Sequence, residues 1–362
     1  MKTRRLGIIT AGGDCPGLNA VIRAVARTAI LNHGYEVVGF EDGYYGLVKD
    51  RSRPLDFQST AGLITRGGTI LGTSNKDNPF HFYEDSEDGG KPSDRSRDVL
   101  RTIRKHRLDG LVAIGGDGTM AIAASLGKLG ARIVGVPKTI DNDLPGTDVT
   151  FGFNSAVTTA MEAIDKIHDT ATSHHRVMVI EVMGRYAGWI ALAAGLSSGV
   201  EVILIPEIPF RMEKVNDVIL ERRRGGKRFS IVVVAEGARP KGGKMVVNKV
   251  VSRSTDPVRL GGIGSRVAEW IENATGIETR VTILGHLQRG GSPSAYDRIL
   301  ASSFGVAAAE LAAAGRYGYM VGIRRNRIVP VPLDRVAGGL RKVKRNDPMA
   351  IAARSLGVCF GN

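Results

Sequence analysis

Short apolar runs alternate along the chain with stretches whose apolar residues recur at helical spacing. The first run is Leu6–Thr10, followed by a helical pattern over Leu18–Leu31 and a second apolar run at Val37–Phe40. Continuous apolar runs of this length predict buried strands, and apolar spacings of three and four predict amphipathic helices. The opening segment therefore predicts a βαβ unit.

The same alternation continues over most of the chain. The further predicted strands are 111–114, 133–136, 177–182, 202–205, 231–234 and 281–284, and the further predicted helices are 120–129, 188–196, 263–274 and 301–314. Strands that are apolar throughout and separated by helices predict parallel sheets covered on both faces. With 362 residues, the chain is long enough for about two α/β domains of ordinary size.

Three polar segments interrupt this pattern. Residues 75–97 are rich in charged, Gly and Pro residues and predict a surface loop, while 222–224 and 335–345 are strongly basic. We interpret both basic segments as solvated surface, with contact to a ligand or another subunit as the alternative. No internal repeat and no low-complexity segment is evident.

The charge balance indicates an anionic partner. Lys and Arg total 50 against 36 Asp and Glu, which gives a net charge of +14. Such a balance suits nucleic acid and phosphorylated metabolites equally well. The chain has no recognisable RNA-binding or helix-turn-helix motif and only 6% aromatic residues, so we expect no nucleic-acid partner.

Cysteine content and hydropathy point to the cytoplasm. Cys15 and Cys359 are too few and too far apart for a disulfide framework. The uncharged stretch Ala187–Val200 falls short of the roughly 18 residues needed for a membrane span. We therefore expect a cytoplasmic protein without membrane contact.

Glycine-rich loops follow two predicted strands of the amino-terminal half, the first strand and the strand at 111–114. Residues 10–19 follow the first strand and precede a helix, a geometry that binds anions but also describes a tight turn. The later strand ends in Gly115-Gly116-Asp117-Gly118-Thr119, where glycines let a phosphate approach the backbone and Asp117 is placed to hold Mg²⁺. This second loop is shared by several kinase families and indicates a nucleoside triphosphate more clearly than an acceptor.

The next strand leads into a loop that combines carboxylates with a cation. Residues 136–146 include Lys138, Asp141 and Asp143. Phosphoryl transfer to an alcohol needs a base beside positive charge, and this loop supplies both residue types. Loops rich in Asp, Asn, Pro and Gly are also common turns, but three such loops at successive strand ends favour a site.

Taken together, these motifs resemble the 6-phosphofructokinase family. They appear in family order between residue 7 and about residue 305, and they are Gly12-Gly13-Asp14, Gly115-Gly116-Asp117-Gly118-Thr119, Pro137-Lys138-Thr139-Ile140-Asp141-Asn142-Asp143, Glu181-Val182-Met183-Gly184-Arg185-Tyr186-Ala187-Gly188 and Leu284-Gly285-His286-Leu287-Gln288-Arg289-Gly290-Gly291. The resemblance covers most of the chain. It implies two Rossmann-like three-layer domains with mainly parallel sheets, formed by 1–152 plus 288–338 and by 153–287 plus 339–362, with the active site in the cleft between them.

The resemblance also implies roles for individual residues in ATP-dependent phosphorylation of fructose 6-phosphate. Asp141 would be the general base, with Thr139 beside it and Arg185 offsetting charge in the transition state. The donor and its Mg²⁺ would be bound by Gly13, Asn75, Lys76, Gly116, Asp117, Gly118 and Thr119, with Asp117 as the metal ligand. The sugar phosphate would be bound by Thr139, Ile140, Asp141, Arg176, Met183, Gly184, Arg185, Glu236, Arg280, His286, Leu287, Gln288 and Arg289. Within these sets, Arg176 and Arg280 would reach the site of a neighbouring subunit, which implies a homo-oligomer, expected to be a tetramer.

Two positions give opposite indications about the phosphoryl donor. In this family Gly at position 118 goes with ATP and Asp with pyrophosphate, whereas Lys at position 138 goes with pyrophosphate enzymes. The pair Gly118 and Lys138 resembles the mixed-substrate group, and sterics favours ATP because a carboxylate excludes a nucleotide more readily than a lysine does. Pyrophosphate as donor and another sugar phosphate, such as sedoheptulose 7-phosphate, as acceptor remain the alternatives. Lys138 or Lys76 would supply the positive charge that an arginine near position 75 supplies in the bacterial ATP enzymes.

Overall fold

A computed structural model describes residues 4–84, 91–251 and 257–362. The strands in these ranges are β1 (Arg5–Thr10), β2 (Glu36–Phe40), β3 (Ser52–Leu55), β4 (Gly110–Gly115), β5 (Ile133–Pro137), β6 (Val177–Val182), β7 (Val202–Leu204), β8 (Ser230–Ala235), β9 (Val247–Val250), β10 (Val258–Leu260), β11 (Thr279–Ile283), β12 (Tyr319–Arg324) and β13 (Arg327–Pro332). The α-helices are α1 (Leu18–His33), α2 (Tyr44–Lys49), α3 (Ser96–Lys105), α4 (Asp117–Lys128), α5 (Phe153–His174), α6 (Trp189–Ser197), α7 (Met212–Arg224), α8 (Ile263–Thr275), α9 (Ala295–Ala313) and α10 (Pro348–Ser355).

The larger sheet has seven strands in the order β13-β12-β5-β4-β1-β2-β3. Its central strands run parallel, and only the edge strands β3 and β13 are antiparallel to their neighbours. Helices α1 and α9 cover one face and α2, α3 and α4 the other. Successive side chains of a strand point to opposite faces of the sheet. Ile8 therefore belongs to the core under α1 and α9, and Ile9 belongs to the core under α2, α3 and α4.

The smaller sheet has four parallel strands in the order β11-β6-β8-β7. Residues of β6 alternate between a core shared with α5 and α6, which takes Ile180, and a core shared with α7 and α8, which takes Val179. The first of these cores is continuous with the α1 and α9 side of the larger sheet. The fold is thus α/β with two three-layer units, as the sequence predicts, and a cleft lies between the carboxyl ends of their strands.

The structure departs from the sequence prediction in several segments. Segment 75–97 is not only surface loop, because Phe82 is 1% exposed and α3 begins at Ser96, while residues 85–90 lie outside the described ranges. Strand β11 is not covered on both faces, since Ile283 is 52% exposed. The basic segment 335–345 is not uniformly solvated, because Arg341 packs over Trp189. The pattern also missed helix α5, whose 22 residues include only five apolar side chains larger than alanine.

No helix within the described ranges is long and apolar enough to cross a membrane.

Close packing of α1 against α9 depends on a glycine. A Cβ atom at Gly305 would lie 2.6 Å from the Cβ of Ala24 and 2.9 Å from the carbonyl oxygen of Val21. We expect Gly305→Val to lower the free energy of unfolding by about 1–3 kcal/mol, because the helices must separate to accept the side chain. Urea denaturation at fixed protein concentration measures the change. The same substitution at exposed Gly127, where a Cβ meets nothing within 4 Å, is the control and is expected to change stability by less than about 0.5 kcal/mol. Equal losses in both variants would contradict the packing account.

Candidate active site in the interdomain cleft

The first glycine loop connects β1 to α1. Gly12 and Gly17 have φ angles of 82° and 105°, which favour glycine. The amide of Gly12 donates to the carbonyl of Ser74 at 2.9 Å, and Thr73 Oγ1 donates to the carbonyl of Gly12 at 2.6 Å. These bonds place the segment that carries Asn75 and Lys76 beside the first loop, as the predicted donor site requires.

The second glycine loop joins β4 to α4. Gly116 precedes the helix, and exposed Asp117 is its first residue, so the carboxylate lies at the positive end of the helix dipole. Thr119 is buried, and its carbonyl accepts from Tyr44 Oη at 3.0 Å. A Cβ atom at Gly118 would meet nothing within 4 Å, and its φ is not positive, so neither packing nor backbone conformation requires glycine there.

The third loop continues β5 into the cleft. Lys138 is 4% exposed, and its ammonium donates to the carbonyl of Gly13, which ties the third loop to the first. Asp141 follows after a turn in which its amide donates to Thr139 Oγ1 at 3.0 Å. Thr150 stabilises the loop, since its hydroxyl donates to the carbonyl of Thr139 at 2.7 Å.

Arg341 holds the same loop from the carboxyl-terminal segment. Its backbone amide donates to the carbonyl of Asp143 at 2.6 Å, and Nη1 donates to the carbonyl of Asn142 at 3.0 Å. Asn142 has a φ of 52°, and its side-chain oxygen accepts from the amide of Thr150 at 3.1 Å. The loop is therefore fixed by hydrogen bonds both from Thr150 and from Arg341 of the carboxyl-terminal segment.

The smaller sheet contributes a sharp turn after β6. Gly184 and Arg185 both have positive φ, at 142° and 54°, and the amide of Arg185 donates to Glu236 Oε1 at 3.0 Å. Glu236 follows β8, so the two strand ends meet at this bond. A Cβ atom at Gly237 would lie 1.9 Å from the carbonyl oxygen of Arg185, which explains why glycine follows Glu236. Met183, the residue before this turn, is half-buried.

Arg289 ends a short 3-10 turn, Gly285–Arg289, and reaches across the cleft. Its guanidinium lies over Gly13, where a Cβ atom would come within 1.8 Å of Nη1, and it is 4.0 Å from Asp14 Oδ1. Gln288 is completely buried and donates to the carbonyl of Gly285 at 3.2 Å, which supports the turn. Arg289 thus brings a positive charge from the turn after the smaller sheet to the first glycine loop.

Asp141 is a buried carboxylate among cations. It is 8% exposed, and its Oδ1 has no hydrogen-bond donor in the described part of the chain. Burial raises the pKa of Asp141, and the charges of Arg289, Arg185 and Lys138 act in the opposite direction. Burial likewise lowers the pKa of Lys138. An unpaired buried acceptor is costly unless a donor arrives, so the site favours a ligand that brings a hydroxyl group.

Two further carboxyl groups titrate near neutrality. Burial raises the pKa of Asp143 to about 7, with the charges of Asp141 and Asp117 adding to the effect. Burial also raises the pKa of Glu236 to about 7, helped by the charge of Asp141, while the hydrogen bond from the Arg185 amide lowers it. Clusters of perturbed carboxyl groups in a cleft are characteristic of functional sites.

Some predicted residues lie apart from this cluster within a single chain. Arg176, directly before β6, pairs with Glu278 at 2.7 Å, and Arg280, on the edge strand β11, pairs with the same carboxylate. His286 and Leu287 are exposed on the 3-10 turn, Leu287 to 69%. Their predicted contacts with the sugar phosphate remain predictions.

Two residues that no sequence motif indicated, Glu207 and Arg341, also support the site. Glu207 accepts from the amides of Gly188 and Val343, at 3.0 and 2.8 Å, and so joins the start of α6 to the carboxyl-terminal segment. Arg341 lies in the basic segment 335–345, where nothing in the sequence distinguishes a partly buried arginine from a solvated one. The carbonyl groups that it contacts carry no sequence signal.

The arrangement suits phosphoryl transfer. Three loops bring glycine-rich backbone, a buried carboxylate and cations to one edge of the larger sheet, where ligands of α/β proteins bind. Convergent guanidinium groups bind phosphate oxygens. In the described part of the chain, no group of three or more His, Cys, Asp or Glu side chains forms a dedicated metal cage. The fold and this cleft define an α/β phosphotransferase.

Comparison with known proteins identifies the family. The phosphofructokinase family model matches residues 5–312. The ATP-dependent 6-phosphofructokinase of Chloroflexus aurantiacus is 51% identical over 362 residues, covering 100% of this chain and 99% of its own. The pyrophosphate–fructose 6-phosphate 1-phosphotransferase of Amycolatopsis methanolica is 48% identical over 339 residues, covering 94% of this chain and 96% of its own. The chain belongs to the phosphofructokinase family.

A solved structure shows the same fold. Pichia pastoris phosphofructokinase in the T-state superimposes with a TM-score of 0.78 at 33% identity, covering 93% of this chain. This chain spans 35% of that longer protein.

The raised pKa of Glu236 predicts a pH-dependent stability. Its folded-state pKa of about 7 lies above the ordinary value of 4.5, so the folded protein holds this proton more tightly than the unfolded chain does. Its contribution is therefore present at low pH and is lost as the pH rises toward 7, at up to about 1.4 kcal/mol per pH unit. The free energy of unfolding of Glu236→Gln, minus that of the parent, should therefore increase as the pH rises from 5 to 7. Urea denaturation of both proteins at each pH measures this difference. Glu269→Gln, at an exposed position, is the control. A constant difference between Glu236→Gln and the parent would show that Glu236 is not the titrating group.

Proposed function

We propose that this protein is an ATP-dependent 6-phosphofructokinase. It transfers the γ-phosphoryl group of ATP to the 1-hydroxyl of fructose 6-phosphate and forms fructose 1,6-bisphosphate and ADP, a step of glycolysis. The proposal is supported by the family membership and by relatives named for this activity, at 51% identity in Chloroflexus aurantiacus. The observation that carries it is the buried Oδ1 of Asp141, which has no donor in the described part of the chain.

Asp141 acts as the general base in this proposal. Its unpaired oxygen accepts the proton of the 1-hydroxyl, and its raised pKa brings its basicity nearer to neutral pH. The base lies among Lys138, Arg185 and Arg289, whose charges oppose the rise in pKa that burial causes. The same cations offset the negative charge of the transferring phosphoryl group.

The remaining predicted residues divide between donor and acceptor. The donor side consists of Gly13, Asn75, Lys76, Gly116, Asp117, Gly118 and Thr119. The acceptor side consists of Thr139, Ile140, Met183, Gly184, Arg185, Glu236, His286, Leu287, Gln288 and Arg289. The hydrogen bond between Glu236 and the Arg185 amide supports placing both at one sugar-binding surface.

Mg²⁺ fits this site with Asp117 as its protein ligand. The charge of Asp117 raises the pKa of both Asp141 and Asp143, so the three carboxylates form one negatively charged cluster that a divalent cation would relieve. A single exposed carboxylate, without a cage of His, Cys, Asp or Glu ligands in the described ranges, suits an ion that is held mainly by substrate phosphates and water. When bound, Mg²⁺ would neutralise charge on the donor phosphates.

Asp141→Asn tests the proposed base. The substitution keeps the shape of the side chain but removes the proton acceptor, so kcat should fall by about 10²–10⁴ while KM for fructose 6-phosphate changes by less than about tenfold. A coupled assay of fructose 1,6-bisphosphate formation measures both constants. Asp165→Asn, on the exposed face of α5, is the control. A kcat within a factor of three of the parent would refute the role of Asp141 as base.

We assign to Gly118 the selection of ATP over pyrophosphate as the phosphoryl donor. The structure leaves space for a side chain there, so an aspartate would fold and would place its carboxylate where the nucleotide phosphates are proposed to lie. Lys138 is buried against Gly13 and need not obstruct a nucleotide. This argument favours ATP, although a relative named for pyrophosphate use is 48% identical.

Gly118→Asp should therefore lower kcat/KM for ATP by at least about 100-fold, because it introduces charge repulsion against the nucleotide phosphates. Activity with pyrophosphate should fall much less. Gly127→Asp, on the same helix, also meets open space and is the matched control. If Gly118→Asp reduced the two activities equally, Gly118 would not determine the donor.

The oligomer proposal assigns Arg176 and Arg280 to a neighbouring subunit, in a homo-oligomer proposed to be a tetramer. Arg280 lies on the edge strand β11, and Arg176 directly precedes the neighbouring strand β6. On β11, Val281 and Ile283 are 37% and 52% exposed, as expected for a surface that a second copy covers. We also keep the proposed domain boundaries at 152, 288 and 338 and the cytoplasmic location as predictions.

Mixed oligomers test this arrangement. Asp141→Asn and Arg176→Ala subunits should each have low activity, but co-refolded mixtures should recover activity because some sites combine an intact Asp141 with an intact Arg176 from its neighbour. The matched control mixes Asp141→Asn with Arg185→Ala, since Arg185 and Asp141 are proposed to serve the same chain's site. Recovery in neither mixture would contradict the shared site.

A further inference from the structure

A basic cavity lies on the carboxyl-terminal side of the Asp141 loop. Its volume is about 450 Å³. The charged residues that line it are Arg324, Arg341, Lys342, Lys344, Asp148 and Asp347. Residues of the catalytic machinery proposed above do not line it.

The charges of this cavity are unbalanced. Four cations face two carboxylates, and none of the four forms an ion pair with a described residue. The carboxylates are already engaged, since Asp148 accepts from the amide of Arg325 at 2.8 Å and Asp347 accepts from the amide of Met349 at 3.0 Å. An excess of positive charge in a concave surface favours an anionic ligand.

Arg341 is the central residue of the cavity. Its guanidinium lies 4.1 Å from the ring of Trp189, and the indole N–H of Trp189 donates to the carbonyl of Arg341 at 2.9 Å. Burial lowers the pKa of Arg341. Only Nη1 of its guanidinium has an acceptor among the described residues, the carbonyl of Asn142, so donors remain for a ligand.

The same residue connects the cavity to the proposed active site. Nη1 and the backbone amide of Arg341 donate to the carbonyls of Asn142 and Asp143, the two residues after Asp141. A ligand that fixes Arg341 would therefore restrain the loop that carries the base.

We propose that this cavity is a second anion-binding site, which takes the phosphate group of a small molecule on Arg341, Lys342 and Lys344 and thereby restrains the Asp141 loop. Guanidinium and ammonium groups together provide several charge-assisted hydrogen bonds to phosphate oxygens. The stacked Trp189 holds the guanidinium plane in position before the ligand arrives. The site is independent of the reaction proposed for the cleft.

Trp189 provides a direct measurement of binding. The chain has two tryptophans, so Trp270→Phe leaves Trp189 as the single indole fluorophore. Inorganic phosphate is the probe, titrated at constant ionic strength with KCl, while fructose 1,6-bisphosphate, ADP and Mg²⁺ at saturating concentration occupy the cleft. We expect a saturable change in Trp189 fluorescence that KCl alone does not produce.

Charge-removal variants locate the binding site. The double substitution Lys342→Ala with Lys344→Ala, made at exposed positions, should weaken phosphate binding by at least about tenfold. Lys214→Ala with Lys227→Ala removes the same charge from exposed positions elsewhere and should leave the affinity unchanged. Absence of a saturable signal, or equal affinity in both double variants, would overturn the proposal. These outcomes do not depend on catalysis, so they are separate from failure of the proposed function.

Hydrogen exchange tests the connection to the loop. Phosphate should slow exchange of the Arg341 amide, which donates to the carbonyl of Asp143, and of amides in segment 138–144. The Lys342→Ala with Lys344→Ala variant should lose this protection. Phosphate binding without any change in exchange across these segments would refute the restraint of the Asp141 loop.

Discussion

The buried carboxylate of Asp141 is the constraint on which the site depends. An ionised carboxylate in a nearly dry position is unfavourable unless positive charge surrounds it. The structure supplies that charge from Lys138 on the same loop, from Arg185 after β6 and from Arg289 on the 3-10 turn, so both units of the fold must come together to stabilise it. Packing of the two units against each other and ionisation of Asp141 are therefore linked. A phosphate ligand would change this balance, because it competes for the same cations.

The fold places these groups by strand direction. Parallel strands β1, β4 and β5 all end at one edge of the larger sheet. The loops after β1 and β5 contain residues with positive φ, Gly12 and Asn142, whereas the glycines after β4 do not have positive φ. Hydrogen bonds then tie the loops together, as between Lys138 and Gly13. Glu207 and Arg341 extend the network to the carboxyl-terminal segment. The chemistry thus lies on loops, while the sheets fix their relative positions.

Much of this architecture could be predicted from the sequence, because strand and helix periods are local. The prediction for β6 coincides with the observed Val177–Val182, and the first helix begins at Leu18 as predicted. The site motifs were visible for the same reason, since glycine and carboxylate residues cluster at strand ends. What depends on distant contacts was not predictable. Arg341 looked like one basic residue among many, and β11 looked like a covered strand although Ile283 is exposed.

The most direct test of the account is the initial rate of fructose 1,6-bisphosphate formation by the unmodified protein. Fructose 6-phosphate and Mg²⁺ are supplied with either ATP or pyrophosphate, on one preparation at one pH. We predict rapid formation with ATP and much slower formation with pyrophosphate, since the position of Gly118 is open, with nothing within 4 Å of an added Cβ atom. Faster turnover with pyrophosphate would contradict the assigned donor, and formation with neither donor would contradict the assigned reaction.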